Sequence, residues 1–333
     1  MRILVTGGIG NVGRAVVARL HAGGHVVRVV GRRASLRVEG AEYRQCDITD
    51  FPSILREAKG MEAIVHLAAM GNPSMAAPHT VFEINCEGTF NVYEAAARAG
   101  IRRVVTASSI NALGFGFGVR DFRVDYLPID EEHPTSPTDA YSFSKNIAEE
   151  IAEYHWRREG ISGVCLRLPA VVPAGSYDEK SVREVAALCR AEAEELLALP
   201  KPERGKRLDA FLARLAEARR ERLFENPPKG WQGVFPDSPL MGMRSDFWTS
   251  LDERDGAQAV EKGLLAGYEG SHALFVVDSH NRTGVPSRRL AECFYPGVTA
   301  WKQPVEGTES LVSIDKARKI LGFEPEYSAA RFL

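Results

Sequence analysis

The chain has 333 residues, of which 26% are charged, and a formal net charge of −2. That length accommodates a large α/β domain with a smaller second lobe and a sizeable core, so neither metals nor disulfides are needed for stability. Neither half nor either tail carries a strong single-sign excess, which excludes an electrostatic footprint for nucleic acid or an anionic membrane and favours a small-molecule partner.

In chain order, the opening MRILVTGG is too short an apolar run for a signal peptide or a membrane anchor, and no later run reaches spanning length. Residues 3–6, 26–30, 63–67 and 104–106 are short, apolar and rich in β-branched side chains without alternation, the pattern of strands covered on both faces. Between them, residues 11–22, 82–99 and 140–158 carry apolar side chains at helical spacing, and Gly23-Gly24 and Gly100 stop two of these helices. Strand and helix in repetition predict an α/β fold with a doubly wound parallel sheet, which residues 163–168 would close.

Composition shifts between residues 176 and 222, which are rich in Ala, Glu, Arg and Leu. Val182, Val185, Leu188, Cys189 and Leu196 form one stripe and Leu208, Phe211, Leu212, Leu215 and Leu223 another, with Pro200 and Pro202 between them. The pattern is that of an inserted helical hairpin, serving either as a packing or dimer element or as a lid over substrate. The domain reading is therefore a dinucleotide-binding domain over 1–173 that carries the catalytic residues, and a partly helical substrate lobe over 174–333. A stretch near 245–280 is expected to return to the first domain. Cys46, Cys86, Cys165, Cys189 and Cys293 form no C-x-x-C pair and no disulfide framework, which fits a soluble protein of a reducing cytoplasm. The eight histidines show no paired ligand spacing, so no metal site is expected.

Thr6-Gly7-Gly8-Ile9-Gly10-Asn11-Val12-Gly13 lies between the first strand and the first helix. Glycines at Gly7, Gly10 and Gly13 permit a tight turn and a close backbone approach, while the helix N-terminus at Asn11 and Val12 offers free N–H groups to a pyrophosphate. This is a Rossmann-type dinucleotide site. An acidic acceptor for a ribose 2′-OH is expected about twenty residues on, at the end of the second strand. The sequence places Arg32 and Arg33 there, a pair suited to the 2′-phosphate of NADP, so NADP is expected to be preferred over NAD.

Tyr141 and Lys145 are four residues apart at the start of a helix and share one face. A neighbouring ammonium, with the positive nicotinamide, would stabilise a tyrosinate and bring it toward neutral pH. Combined with the glycine turn, Asp47-Ile48, His66-Leu67-Ala68-Ala69, Asn85, Gly88-Thr89 and Ser108-Ser109, the pair makes the chain resemble the extended short-chain dehydrogenase/reductase family, which includes sugar epimerases, dehydratases and uronate dehydrogenases. The resemblance runs from Met1 to about residue 173 and implies roles position by position. Asp47 and Ile48 would flank the adenine, and Leu67, Ala68 and Ala69 would line the ribose and pyrophosphate path. Asn85 would hold the active-site helix, Ser109 would hydrogen-bond the reacting oxygen, Tyr141 would exchange the proton, and Lys145 would tune it and bind the nicotinamide ribose. Family members often dimerise through the helices at 82–99 and 140–158, which makes a homodimer an expectation here.

Ile110-Asn111 stands where the family's dehydratases carry an acidic pair, so dehydration is disfavoured. Asn111 and Arg167 are similar to positions of the uronate dehydrogenases, where an arginine would fix a substrate carboxylate. Residues 115–128, aromatic and carrying Gly116 and Gly118, are suited to shaping a pocket. Three functions remain open on the sequence. One is an NAD(P)-dependent dehydrogenase or reductase of a sugar or sugar acid. The second is a nucleotide-sugar epimerase with tightly held NAD, and the third a non-catalytic dinucleotide sensor.

Overall fold

A computed structural model describes all residues, 1–333. The apolar runs form β1 (Arg2–Thr6), β2 (Val26–Gly31), β3 (Ala41–Gln45), β4 (Ala63–His66), β5 (Arg103–Ser109) and β6 (Ser162–Leu168). Residues 3–6 and all of β6 are buried, so these strands have no solvent face on which polar residues would alternate. Helices α1 (Asn11–Ala22), α2 (Phe51–Ala58), α3 (Pro78–Phe82), α4 (Gly88–Ala99) and α5 (Ala140–Glu159) connect them. The helix expected over 82–99 is broken at its start by a π-helical turn, Glu83–Glu87, which turns Asn85 into the interior.

Beyond β6, the two-residue strand β7 (Val171–Val172) precedes the inserted helices α6 (Glu179–Ala198) and α7 (Lys201–Arg220). The chain continues through α8 (Pro239–Gly242), β8 (Leu251–Asp252), which pairs with β7, then α9 (Glu253–Leu265) and β9 (Ser271–Phe275). Helices α10 (Ser287–Phe294) and α11 (Asp315–Leu321) follow.

The main sheet is parallel throughout, in the order β3-β2-β1-β4-β5-β6-β9. Residues 163–168 therefore do not close the sheet, since β9 pairs along their outer edge and satisfies backbone groups that would otherwise be open. With only its last two residues fully buried, β9 has too short an apolar run to be read as a strand from sequence. Helices α1 and α9 cover one face through Val16, Leu20, Ala257 and Val260, while α2, α4 and α5 cover the other through Ile54, Val92 and Ala152.

The inserted hairpin is asymmetric. Helix α6 buries Val182, Ala186, Cys189, Ala193 and Leu196, a stripe at helical spacing, and is capped by Asp178, which accepts from the Ser181 N–H at 2.8 Å. Helix α7 buries only Ala218 and Arg219. The first helix is a packing element and the second lies over the pocket described below. No helix is long and apolar enough to cross a membrane.

Candidate active site

The glycine turn is built so that no side chain fits. Gly7 has a left-handed φ of +72°, a Cβ there would lie 2.6 Å from the Ala68 nitrogen, and one at Gly13 would lie 2.3 Å from the Gly7 carbonyl oxygen. Gly10 caps α1 without a side-chain bond, so the first helical N–H groups, from Asn11 and Val12 onward, face the turn unpartnered by any cap. Leu67, Ala68 and Ala69 lie across the turn, where the Ala68 N–H donates to Thr6 Oγ1 at 3.1 Å. This cradle of backbone and positive helix terminus fits a dinucleotide pyrophosphate. His66 is structural, held between Thr6 Oγ1 at 2.8 Å and Thr89 Oγ1 at 3.0 Å, and burial pushes it down to about 3.

At the end of β2 the loop is fastened through its backbone. Tyr43 Oη donates to the Arg33 carbonyl at 2.9 Å and Gln45 Nε2 to the Arg32 carbonyl at 3.1 Å, leaving both guanidiniums exposed. A cavity of about 530 Å³ beside the glycine turn is lined by Gly8, Ile9, Arg14, Arg33 and Arg37, with Glu39 at its rim. Arg14 and Arg37 were not singled out by sequence reasoning, although Arg14 stands one turn into the helix that opens at the glycines. Asp47 Oδ1 accepts from the backbone and hydroxyl of Thr49, and Ile48 turns inward against Gly88. The Ile48 side chain therefore packs under α4 rather than lying open for an adenine.

Ser109, Tyr141 and Lys145 converge at the C-terminal end of the sheet. Asp139 starts α5 by accepting from the Ser142 N–H at 2.8 Å, and this cap sets Tyr141 and Lys145 on the buried face of the first turns. Burial pushes the Tyr141 phenol up to about 12, the nearby Ser109 hydroxyl opposes that shift, and the Asp246 and Asp139 carboxylates add to it. Lys145 Nζ donates to the Ala107 carbonyl at 2.7 Å and lies 5.9 Å from the Tyr141 ring centre; burial lowers it to about 8. The Lys145 ammonium is therefore held at the Ala107 carbonyl, close to the Tyr141 ring and without a direct hydrogen bond to the phenol.

Asn85, expected in the catalytic group, is a positioning residue. Its Oδ1 accepts from the Met70 N–H at 2.7 Å and its Nδ2 donates to Ser144 Oγ at 2.9 Å, tying the β4 loop to α5 without reaching Tyr141. Asn111 Oδ1 accepts from the Gly116 N–H at 3.0 Å and so shapes the 115–128 loop. Arg167 is not an open carboxylate binder. Its Nε and Nη2 make a bidentate pair with Glu149 at 2.9 and 2.8 Å, Ser108 Oγ donates to the same carboxylate at 2.6 Å, and the arginine is 4% exposed. Glu149 stands one turn beyond Lys145 on the same helix face, a spacing that sequence reasoning passed over.

The pocket beside Tyr141 draws on the 115–128 loop and on residues much farther along the chain. Phe117 touches both Tyr141 and Phe224, with ring centres 5.8 and 5.9 Å apart. Beyond it lies a cavity of about 200 Å³ lined by Phe115, Gly116, Arg219, Phe224, Met241 and Arg244, among others. Phe247 and Trp248, both fully buried, hold consecutive positive φ values of 53° and 58°, a conformation that costs side-chain-bearing residues energy. Trp248 Nε1 donates to the Leu240 carbonyl at 2.7 Å and fixes this bend, which presents Arg244 and Asp246 to the site. Burial raises Asp246 to about 7.

Fold and site together define an NAD(P)-dependent short-chain dehydrogenase/reductase. The chain belongs to the NAD dependent epimerase/dehydratase family, whose model matches residues 3–210. It is 36% identical over 198 residues to the L-arabinose 1-dehydrogenase (NAD(P)(+)) of Haloferax volcanii, covering 57% of this chain and 76% of that one. To the uronate dehydrogenase of Pseudomonas syringae pv. tomato it is 30% identical over 175 residues, covering 52% of this chain and only 60% of the relative. The UDP-glucose 4-epimerase of Streptococcus mutans matches at 31% identity across 98% of this chain and 92% of its own length. In fold, a short-chain dehydrogenase/reductase superfamily protein from Agrobacterium tumefaciens, solved with bound NAD, superposes with a TM-score of 0.64 at 24% identity, covering 100% of this chain and 95% of that one.

The Glu149–Arg167 pair gives a direct stability test. Arg167→Met leaves a buried carboxylate unpaired and is expected to cost about 3–5 kcal/mol in urea denaturation, whereas Arg167→Met with Glu149→Leu recovers most of that loss. A single substitution costing less than about 1 kcal/mol contradicts the reading of a tightly coupled buried pair.

Proposed function

We propose that this protein is an NADP-preferring dehydrogenase or reductase acting on a secondary alcohol or ketone of a small sugar, sugar acid or related molecule, with Tyr141 as the acid/base. The observation that carries this reading is the convergence of Ser109, Tyr141 and Lys145 at the end of the sheet. The Phe117 ring links Tyr141 to Phe224, which lines a neighbouring cavity of about 200 Å³, a space that suits a small ring. The bound nicotinamide supplies the two-electron acceptor or donor for the substrate carbon. Ser109 Oγ, which accepts from the Asn111 N–H at 3.1 Å, keeps its own proton free to hold the reacting oxygen. Tyr141 then takes the hydroxyl proton in oxidation or returns one in reduction, and Lys145 supplies positive charge on its buried side.

A second reading, a nucleotide-sugar epimerase that takes and returns the hydride within one active site, is favoured by the epimerase relative that aligns along nearly the whole chain. Against it stands the small cavity. Preference for NADP rests on the exposed Arg32 and Arg33 and on Arg14 and Arg37 around the adjoining cavity. Homodimerisation rests on an exposed aromatic strip across α3, α4 and α5. Phe82 and Phe143 stack 5.8 Å apart at 41% and 42% exposure, beside the Phe90–Tyr154 pair.

Three outcomes follow. Tyr141→Phe is expected to lower kcat by about 10²- to 10⁴-fold with NADP affinity unchanged, and wild-type turnover in that variant overturns the assignment of the proton to Tyr141. Arg33→Glu with Arg37→Glu should shift kcat/KM toward NAD by at least about tenfold, a preference that wild-type enzyme equally fast with NAD would contradict. By analytical ultracentrifugation the wild type should sediment as a dimer and Phe82→Asp with Phe143→Asp as a monomer; a monomeric wild type sinks the interface.

A further inference from the structure

Two guanidiniums meet at the cavity next to Tyr141, and only one of them is neutralised. Arg219, on the inserted helix α7 and 5% exposed, pairs with Asp121 and donates through Nη2 to the Phe115 carbonyl at 3.0 Å. Arg244, on the strained segment before Phe247, makes no side-chain hydrogen bond and no ion pair. Its guanidinium lies 5.4 Å from the Phe115 ring centre and 4.8 Å from that of Tyr295, and its Nε is buried without a partner. Arg219 and Arg244 line the same cavity. Burial raises the nearby Asp246 carboxyl to about 7.

The Arg244 side chain is partly buried and its Nε is shut off from water without a partner, a donor that an entering anion would satisfy. Asp121 offsets Arg219, and Asp246, two residues from Arg244, is raised to about 7 by burial, so little net positive charge is in place to hold a dianion. A singly charged planar carboxylate, which a guanidinium can meet with two parallel N–H bonds, fits better than a phosphate dianion. The surrounding walls, Phe115, Phe224 and Met241, suit the apolar face of a ring.

We propose that Arg244, seconded by Arg219 of the inserted helix, is the anchor for a carboxylate on the substrate, so that the enzyme acts on a small monocarboxylate rather than on a neutral sugar. The inference rests on the proposed dehydrogenase reading and replaces Arg167, whose Nε and Nη2 are committed to Glu149 and whose Nη1 is buried, as the acid-recognising residue. It also gives the helical insertion a task, namely to carry part of the substrate-recognition surface over the catalytic face.

The test is calorimetric binding to the NADP complex, using galacturonate, galactose and galactose 6-phosphate as probes, with turnover followed separately. Galacturonate should bind at least about tenfold more tightly than galactose or the phosphate ester. Arg244→Gln should lose about 10- to 100-fold in galacturonate affinity, and Arg244→Lys should fall between, with NADP affinity unaltered in both as the check on folding. Equal affinity for galacturonate and galactose, or Arg244→Gln binding galacturonate like wild type, overturns the proposal. Tightest binding of galactose 6-phosphate overturns the choice of carboxylate. Binding that depends on Arg244 without any oxidation of galacturonate would leave the anchor standing and count against the dehydrogenase reading.

Discussion

The catalytic face depends on a buried charge pair that takes no part in the chemistry. Glu149 and Arg167 join α5 to β6, and Ser108 joins the same carboxylate to β5, so three elements that carry or border the site are locked through one side chain. Tyr141 and Lys145 lie two turns and one turn upstream on that helix. A shift of α5 along the sheet would separate Tyr141 from Ser109 and pull Lys145 from the Ala107 carbonyl. A pair of this kind contributes little net stability relative to an apolar replacement, because desolvation offsets the Coulomb gain. What it supplies is registry: the bidentate geometry tolerates one placement of the helix.

Around that fixed helix the molecule divides its tasks. The parallel sheet and the glycine turn form a rigid cofactor half, in which close backbone contacts at Gly7 and Gly13 admit no substitution. The half that faces substrate is assembled from the 115–128 loop, α7 and the bend at Phe247 and Trp248. Its parts hold one another, Arg219 reaching the Phe115 carbonyl and Phe115 stacking on Phe247 at 4.4 Å. Strain at the two positive φ residues is tolerated because their side chains are fully buried and the Trp248 indole is hydrogen-bonded.

The cofactor half was legible in the sequence because its demands are local. Glycines at fixed intervals between an apolar strand and a helix, and Tyr141 four residues from Lys145, report backbone and helix geometry directly. Strand β9 escaped notice because only its end is apolar, and the π-helical turn because its cause is the inward Asn85, which bonds across to Ser144. Arg167 reads in sequence as a plausible carboxylate ligand; its partner Glu149 is 18 positions away and meets it only through tertiary packing. Arg219 was hidden for the same reason. In an arginine-rich insertion nothing local distinguishes a solvated side chain from a buried one, and the distinction arises only when α7 folds back over Phe115.

In the proposed function the Ser109, Tyr141 and Lys145 site carries out a net redox reaction, with cofactor entering and leaving each cycle. The most direct measurement incubates purified protein with excess NADP and a panel of uronates, free sugars and UDP-sugars, recording nicotinamide reduction and product stereochemistry together. One reduced nicotinamide is expected for each molecule of oxidised small substrate. Inversion of a UDP-sugar hydroxyl with no net reduction, by protein purified with NAD already bound, would contradict it.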